Sequence, residues 1–245
     1  MTITQLIIPH HGRQVHAVLY LPEAAAPVPA VLMSHGYNGC KTDFDDGARL
    51  LAENGVAALC YTFCGGSTRD ESGFPTTDMT LFTEQEDALA LVDFLKSHPA
   101  VDGEKVFLFG GSMGGLVSVM ASQARPADAA GLILLFPALG IPQNWAQRFP
   151  RVEDIPETVE FWGLMLGRGF FTSMRALDVF PRMAEYDKPV LILQGDQDAI
   201  VSVESSQRAA KAYPSAELVI FSGEGHGFSP EGNREVCEML LDFVQ

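Results

Sequence analysis

Short apolar runs alternate with amphipathic stretches along most of the chain. Residues 3–8 and 15–21 are strand-like and flank the turn pair His11-Gly12, so an antiparallel hairpin is expected there. Ala30–Met33, Val56–Phe63, Lys105–Phe109, Gly131–Phe136, Pro189–Gln194 and Ala216–Phe221 are brief and largely apolar. That is the pattern of strands covered on both faces. Residues 43–54, 80–97, 116–123, 204–212 and 234–244 carry apolar side chains at helical spacing. In the longest, Leu81, Ala88, Leu91, Val92 and Leu95 share one side. Its Glu84, Glu86 and Asp87 lie near the N-terminus, where acids suit the helix dipole. Strands alternating with helices predict an α/β fold, with a mostly parallel central sheet and helices on both faces.

One interval breaks the alternation. About fifty residues separate the strand at 131–136 from that at 189–194, and they hold both tryptophans, Trp145 and Trp162, with Phe149, Phe161, Phe170 and Phe171. A single crossover helix does not need that length. Residues 138–186 are therefore expected to form a small, mainly helical cap inserted into a core made of 1–137 and 187–245. The proline-rich 22-PEAAAPVP-29 reads as a connector.

Composition narrows the partners. The chain has 245 residues, 47% of them hydrophobic, and a net charge of -15. Such a charge disfavours nucleic acid and anionic membrane surfaces, which call for clustered Lys and Arg. No signal peptide or spanning segment is read, so a cytoplasmic location is expected. The four cysteines, Cys40, Cys60, Cys64 and Cys237, are then expected to be free thiols. His10, His11 and His16 have no neighbouring carboxylate, and no metal site is expected. The oligomeric state stays open, a homodimer included.

The chemistry concentrates at 106-VFLFGGSMGG-115. Glycine weakens both strands and helices, so four around one serine need a reason. G-x-S-x-G between a strand and a helix supplies it: a nucleophile elbow, in which a sharp turn exposes the serine hydroxyl and leaves no space for flanking side chains. Ser112 is the candidate nucleophile. A serine needs a base and a group that orients the base. His226, in 222-SGEGHGF-228, is the sole histidine after Ser112. The loop 194-QGDQDAIV-201 offers Asp196 and Asp198 as the acid. Oxyanion donors are expected from the backbone N–H of Met113, after the nucleophile, and from that of Tyr37 in 34-SHGYNG-39. His35 is assigned to shaping that loop.

The motifs HGYNG, GGSMGG, GDQDAIV and GEGHGF, in this order, resemble the α/β-hydrolase family over nearly the whole chain. Within it the chain is most similar to the bacterial cinnamoyl/feruloyl esterases, which carry an HG-F/Y-x-G loop and a cap after the sixth strand. The segment 170–195 is similar to the return of their cap. The resemblance favours Asp198 as the acid and implies an α/β-hydrolase fold and a small-molecule ester substrate. It implies acyl transfer to water through Ser112, His226 and Asp198, without cofactor or metal. Trp145 and Trp162 are the candidate substrate-binding residues. The chain departs from the family at 63-FCGGSTRDESG-73, where R-G-x-G-x-S is usual. Two alternatives remain. One is a peptidase like the catalytic domains of prolyl oligopeptidases, with Glu153, Asp154 and Glu157 as candidate holders of an amino terminus. The other is a slow-turnover hydrolase-like receptor.

Overall fold

The computed structural model describes all 245 residues, Met1–Gln245. Strands β1 (Thr2–His10) and β2 (Arg13–Leu21) form the expected hairpin. His11 and Gly12 between them adopt φ 45° and 79°, the left-handed pair that a two-residue primed turn requires. Then follow β3 (Val28–Ser34), α1 (Asp45–Glu53), β4 (Ala57–Tyr61), α2 (Leu81–Ser97), β5 (Val101–Gly111), α3 (Met113–Ala124) and β6 (Gly131–Leu135). The next segment holds α4 (Ile141–Arg148), a two-stranded hairpin of β7 (Thr158–Phe161) and β8 (Leu164–Gly167), and α5 (Arg168–Arg175). The chain closes with β9 (Val190–Gly195), α6 (Val203–Ala212), β10 (Ala216–Phe221) and α7 (Pro230–Val244).

Eight strands form one sheet in the order β1-β2-β4-β3-β5-β6-β9-β10, parallel from β4 to β10. Strand side chains alternate between faces. Thus Leu132 and Leu134 enter a core of 47 buried residues beneath α2, α3 and α6, while Ile133 and Leu135 enter one of 20 beneath α1 and α7. Two apolar faces explain why these strands read as continuous apolar runs. No helix is long and apolar enough to cross a membrane.

Two local features differ from the sequence reading. Residues 138–186 are less helical than expected, because β7 and β8 pair across Trp162-Gly163. Trp-Gly lies outside the usual hairpin turn dipeptides, so the turn carried no signal. The acids of α2 also do more than face the helix dipole. Glu84 and Asp87 are both fully buried. Asp87 accepts from Arg13 Nε at 3.0 Å and from the Cys64 N–H at 2.9 Å. Both carboxyl oxygens of Glu84 lack a partner. Burial, then the neighbouring Asp87, pushes the Glu84 pKa well above the ordinary range. Because Asp87 has the guanidinium and Glu84 has nothing, the proton resides on Glu84.

Candidate active site

The strand order doubles back around β3, so the loops after β3 and β5 lie side by side at the carboxyl edge of the sheet. Open α/β sheets bind ligands in such a crevice. Ser112 follows β5 directly, with φ 52° and ψ -116°. That left-handed conformation turns the chain from strand into α3 within one residue. Close packing makes the neighbouring glycines obligatory. A Cβ on Gly110 would fall 2.2 Å from the Gly114 carbonyl oxygen, and one on Gly114 would fall 2.2 Å from that of Ser34.

His226, on the loop between β10 and α7, places Nε2 3.0 Å from Ser112 Oγ and Nδ1 2.8 Å from Asp198 Oδ2. The carboxylate can only accept, so Nδ1 carries the proton and Nε2 is free to accept from the serine hydroxyl. Asp198 lies on the loop after β9, and its side chain is 0% exposed. Its Oδ1 accepts from the N–H groups of Ile200 at 2.8 Å and Val201 at 2.9 Å, and its Oδ2 from Gln194 Nε2 at 3.1 Å. Burial alone would raise its pKa. The hydrogen bonds from Val201, His226 and Ile200 outweigh burial and hold it below the usual carboxylate range. Asp196 points elsewhere: its Oδ1 accepts from Gly223 N–H at 2.7 Å, tying the β9 loop to the β10 loop.

The loop after β3 abuts the serine, since a Cβ on Gly36 would lie 3.3 Å from Ser112 Cβ. His35 braces this loop from below. Its Nε2 accepts from Phe63 N–H at 3.1 Å, so Nδ1 donates to the Gly36 carbonyl at 2.6 Å. Burial lowers its pKa to about 4, which keeps the ring neutral. The unusual 63–73 loop holds the same region from above. Asn38 Oδ1 accepts from the Thr68 N–H at 2.9 Å, and the Asn38 carbonyl accepts from Arg69 at 3.1 Å.

A cavity of about 280 Å³ opens at Ser112. Tyr37 and Met113 border it, and Trp145, Phe161, Trp162 and Phe170 wall it. Trp145 packs edge-on to Phe161 with ring centroids 5.1 Å apart. Trp162, at the tip of the β7–β8 hairpin, is 60% exposed. The Tyr37 hydroxyl donates to the Phe161 carbonyl at 2.5 Å and ties the hairpin to the β3 loop. Glu153, Asp154 and Glu157 do not line the cavity; Asp154 pairs with Arg151 and Glu157 with Arg168.

Three contributors escaped the sequence reading. Phe136, after β6, holds φ 35° and sets its ring 4.7 Å from the His226 imidazole. Nothing in the chain marks it. Gln194 is fully buried and receives the Ser206 hydroxyl at 2.7 Å while donating to Asp198. A polar residue ending an apolar strand was its signal. Arg148 lines the cavity as well.

The family model described as serine aminopeptidase, S33, matches residues 25–162, and that described as TAP-like protein matches residues 173–245. The chain belongs to the α/β-hydrolase family. It is a hydrolase of that family, and its likeness to the cinnamoyl/feruloyl esterases extends to the whole fold. Est1E from Butyrivibrio proteoclasticus, solved with ferulic acid bound, superposes with a TM-score of 0.88 at 28% identity, over 98% of this chain and 97% of that chain. Monoacylglycerol lipase ABHD6 of Rattus norvegicus is 22% identical over 262 residues, 88% of this hydrolase and 75% of that protein. The monoglyceride lipase of Rattus norvegicus is 27% identical over 121 residues, and the match spans only 38% of its length.

Proposed function

We propose that this hydrolase cleaves carboxylic esters with a flat, aryl- or cinnamoyl-type acyl group, passing the acyl group to Ser112 and then to water. One observation carries this reading: the unbroken Ser112–His226–Asp198 chain of hydrogen bonds ends at an apolar, aromatic-walled cavity. His226 Nε2 takes the hydroxyl proton as Ser112 Oγ attacks the ester carbonyl. Asp198 holds the ring and stabilises its protonated form. The backbone N–H groups of Tyr37 and Met113 receive the oxyanion, and each such donor contributes about 3–4 kcal/mol. His226 returns the proton to the departing alcohol. Water then repeats the attack, and the acid leaves. Segment 138–186 serves as the cap over the acyl group, with Trp145 and Trp162 against its plane. The ferulic acid bound to Est1E supports a ring-bearing acyl group.

The description serine aminopeptidase favours a second reading, as a peptidase. Against it, no carboxylate lines the cavity to hold a substrate's amino terminus. Hydrolysis of methyl cinnamate, methyl ferulate and p-nitrophenyl esters, set beside a dipeptide naphthylamide, separates the two. Sustained ester turnover is expected, falling on the order of 10⁶-fold in kcat in Ser112→Ala. Faster amide cleavage would install the peptidase. An inert wild type, or a variant as active as wild type, would reject the esterase.

A further inference from the structure

Arg148 stands apart from the other arginines of the inserted segment. Arg151 pairs with Asp154 at 2.6 Å, Arg168 with Glu157 at 3.1 Å, and Arg182 with Glu185 at 3.1 Å. Arg175 donates to the carbonyls of Ala146 at 3.1 Å and Pro150 at 3.2 Å. Arg148 has no hydrogen-bond acceptor or carboxylate, although the chain carries a net charge of -15. Its guanidinium is held instead by aromatic faces, 5.1 Å from the Trp145 ring centre and 5.9 Å from that of Phe149. Stacking of this kind fixes the direction of a guanidinium and leaves its N–H edge free to donate. Arg148 is also the one charged residue lining the cavity.

Its place along the cavity follows from α4. The Ala138 N–H donates to the Ser112 carbonyl at 2.9 Å, so the segment starts against the nucleophile. Ile141, Asn144, Trp145 and Arg148 all line the cavity, at the spacing of one helix face. From Ile141 to Arg148 the helix rises about 10 Å. Ser112 and Arg148 thus both border the cavity, with Ile141, Asn144 and Trp145 of α4 between them along the chain.

We infer that the acyl group taken by this enzyme ends in an anion, a carboxylate at the end remote from the scissile ester, which Arg148 receives. This rests on the esterase reading above and specifies its substrate class: half-esters of aromatic or unsaturated dicarboxylic acids. The acyl half is the one that occupies the cavity, because it stays bonded to Ser112 after the alcohol has left and must be held while water attacks. A guanidinium fits a carboxylate with two parallel N–H donors, which a neutral ring does not exploit.

Binding of methyl 4-carboxycinnamate and methyl cinnamate to Ser112→Ala, measured by calorimetry, tests this without turnover. The carboxylate ester is expected to bind about tenfold more tightly, with the gap narrowing in salt because Arg148 is exposed. Adding Arg148→Gln should bring the two esters to parity, and Arg148→Lys should keep part of the preference. In the enzyme with Ser112 intact, the same preference should reside in KM more than in kcat. Equal affinities in Ser112→Ala, or a preference that survives Arg148→Gln, would overturn the assignment. A preference in binding without hydrolysis of either ester would keep the anion subsite and reject the esterase.

Discussion

A non-glycine residue at φ 52°, as at Ser112, carries strain of about 1–3 kcal/mol, and such strain persists only where the surroundings over-determine it. Here they do. The Ser112 N–H donates to the Leu135 carbonyl at 2.9 Å, and its carbonyl accepts from Ala138 and Leu116. The hydroxyl is thereby held toward His226. Asp198 works through that imidazole: as a pure acceptor it selects the tautomer that leaves Nε2 open. Asp198→Asn replaces an acceptor with a group that can donate, and the ring can then adopt the wrong tautomer. Such a change is expected to lower kcat roughly 10⁴-fold while the fold is kept. Rates on a p-nitrophenyl ester, with circular dichroism as the control, measure this; a variant within a few-fold of wild type would contradict the assigned role. Ser112 and His226 could be read from the sequence as candidates because G-x-S-x-G stands between a strand and a helix and a single histidine follows it in the chain. The choice between Asp196 and Asp198 needed family resemblance, since both follow β9. What separates them is geometric: Asp198 turns inward to Ile200, Val201 and His226, and Asp196 turns to Gly223.

At the scale of elements, α2 shows how pattern can mislead. Its apolar stripe predicted the helix, and the helix spans Leu81–Ser97 with a capping box at Thr80 and Thr83. Acids in a first turn usually face water, yet Glu84 is fully buried. Its raised pKa has a consequence for stability. As pH rises, the unfolded chain gives up this proton first, near 4.5, and the folded chain holds it longer. The stability attached to the neutral carboxyl is whole below pH 4.5 and declines as pH climbs toward the folded value. Glu84→Gln keeps the shape and cannot ionise. Its Tm should exceed that of wild type at neutral pH, and the two should converge in acid. A Tm difference constant across that range would show that Glu84 is not held neutral. The β7–β8 hairpin was illegible for a different reason. Its strands are four residues each, and it is held to the core by the Tyr37–Phe161 contact, a pairing 124 positions apart in the chain.

Over the whole molecule, the sheet is what makes the site. Loops after β3, β5, β6, β9 and β10 meet at one edge because those strands run parallel and their carboxyl ends coincide. Alternation of strands and helices made that architecture readable. The shape of the cavity was not, since it depends on which aromatic rings pack inward. Of the two tryptophans, Trp145 is buried and Trp162 is open to solvent, although both line the cavity. The central claim is that this assembly makes one serine the nucleophile of an acyl transfer. Labelling with a p-nitrophenyl alkylphosphonate tests it most directly. Release of p-nitrophenolate equal to the enzyme present, loss of ester turnover, and an adduct on the peptide carrying Ser112 are the results expected. Full ester turnover after such treatment, or an adduct on another residue, would contradict the account.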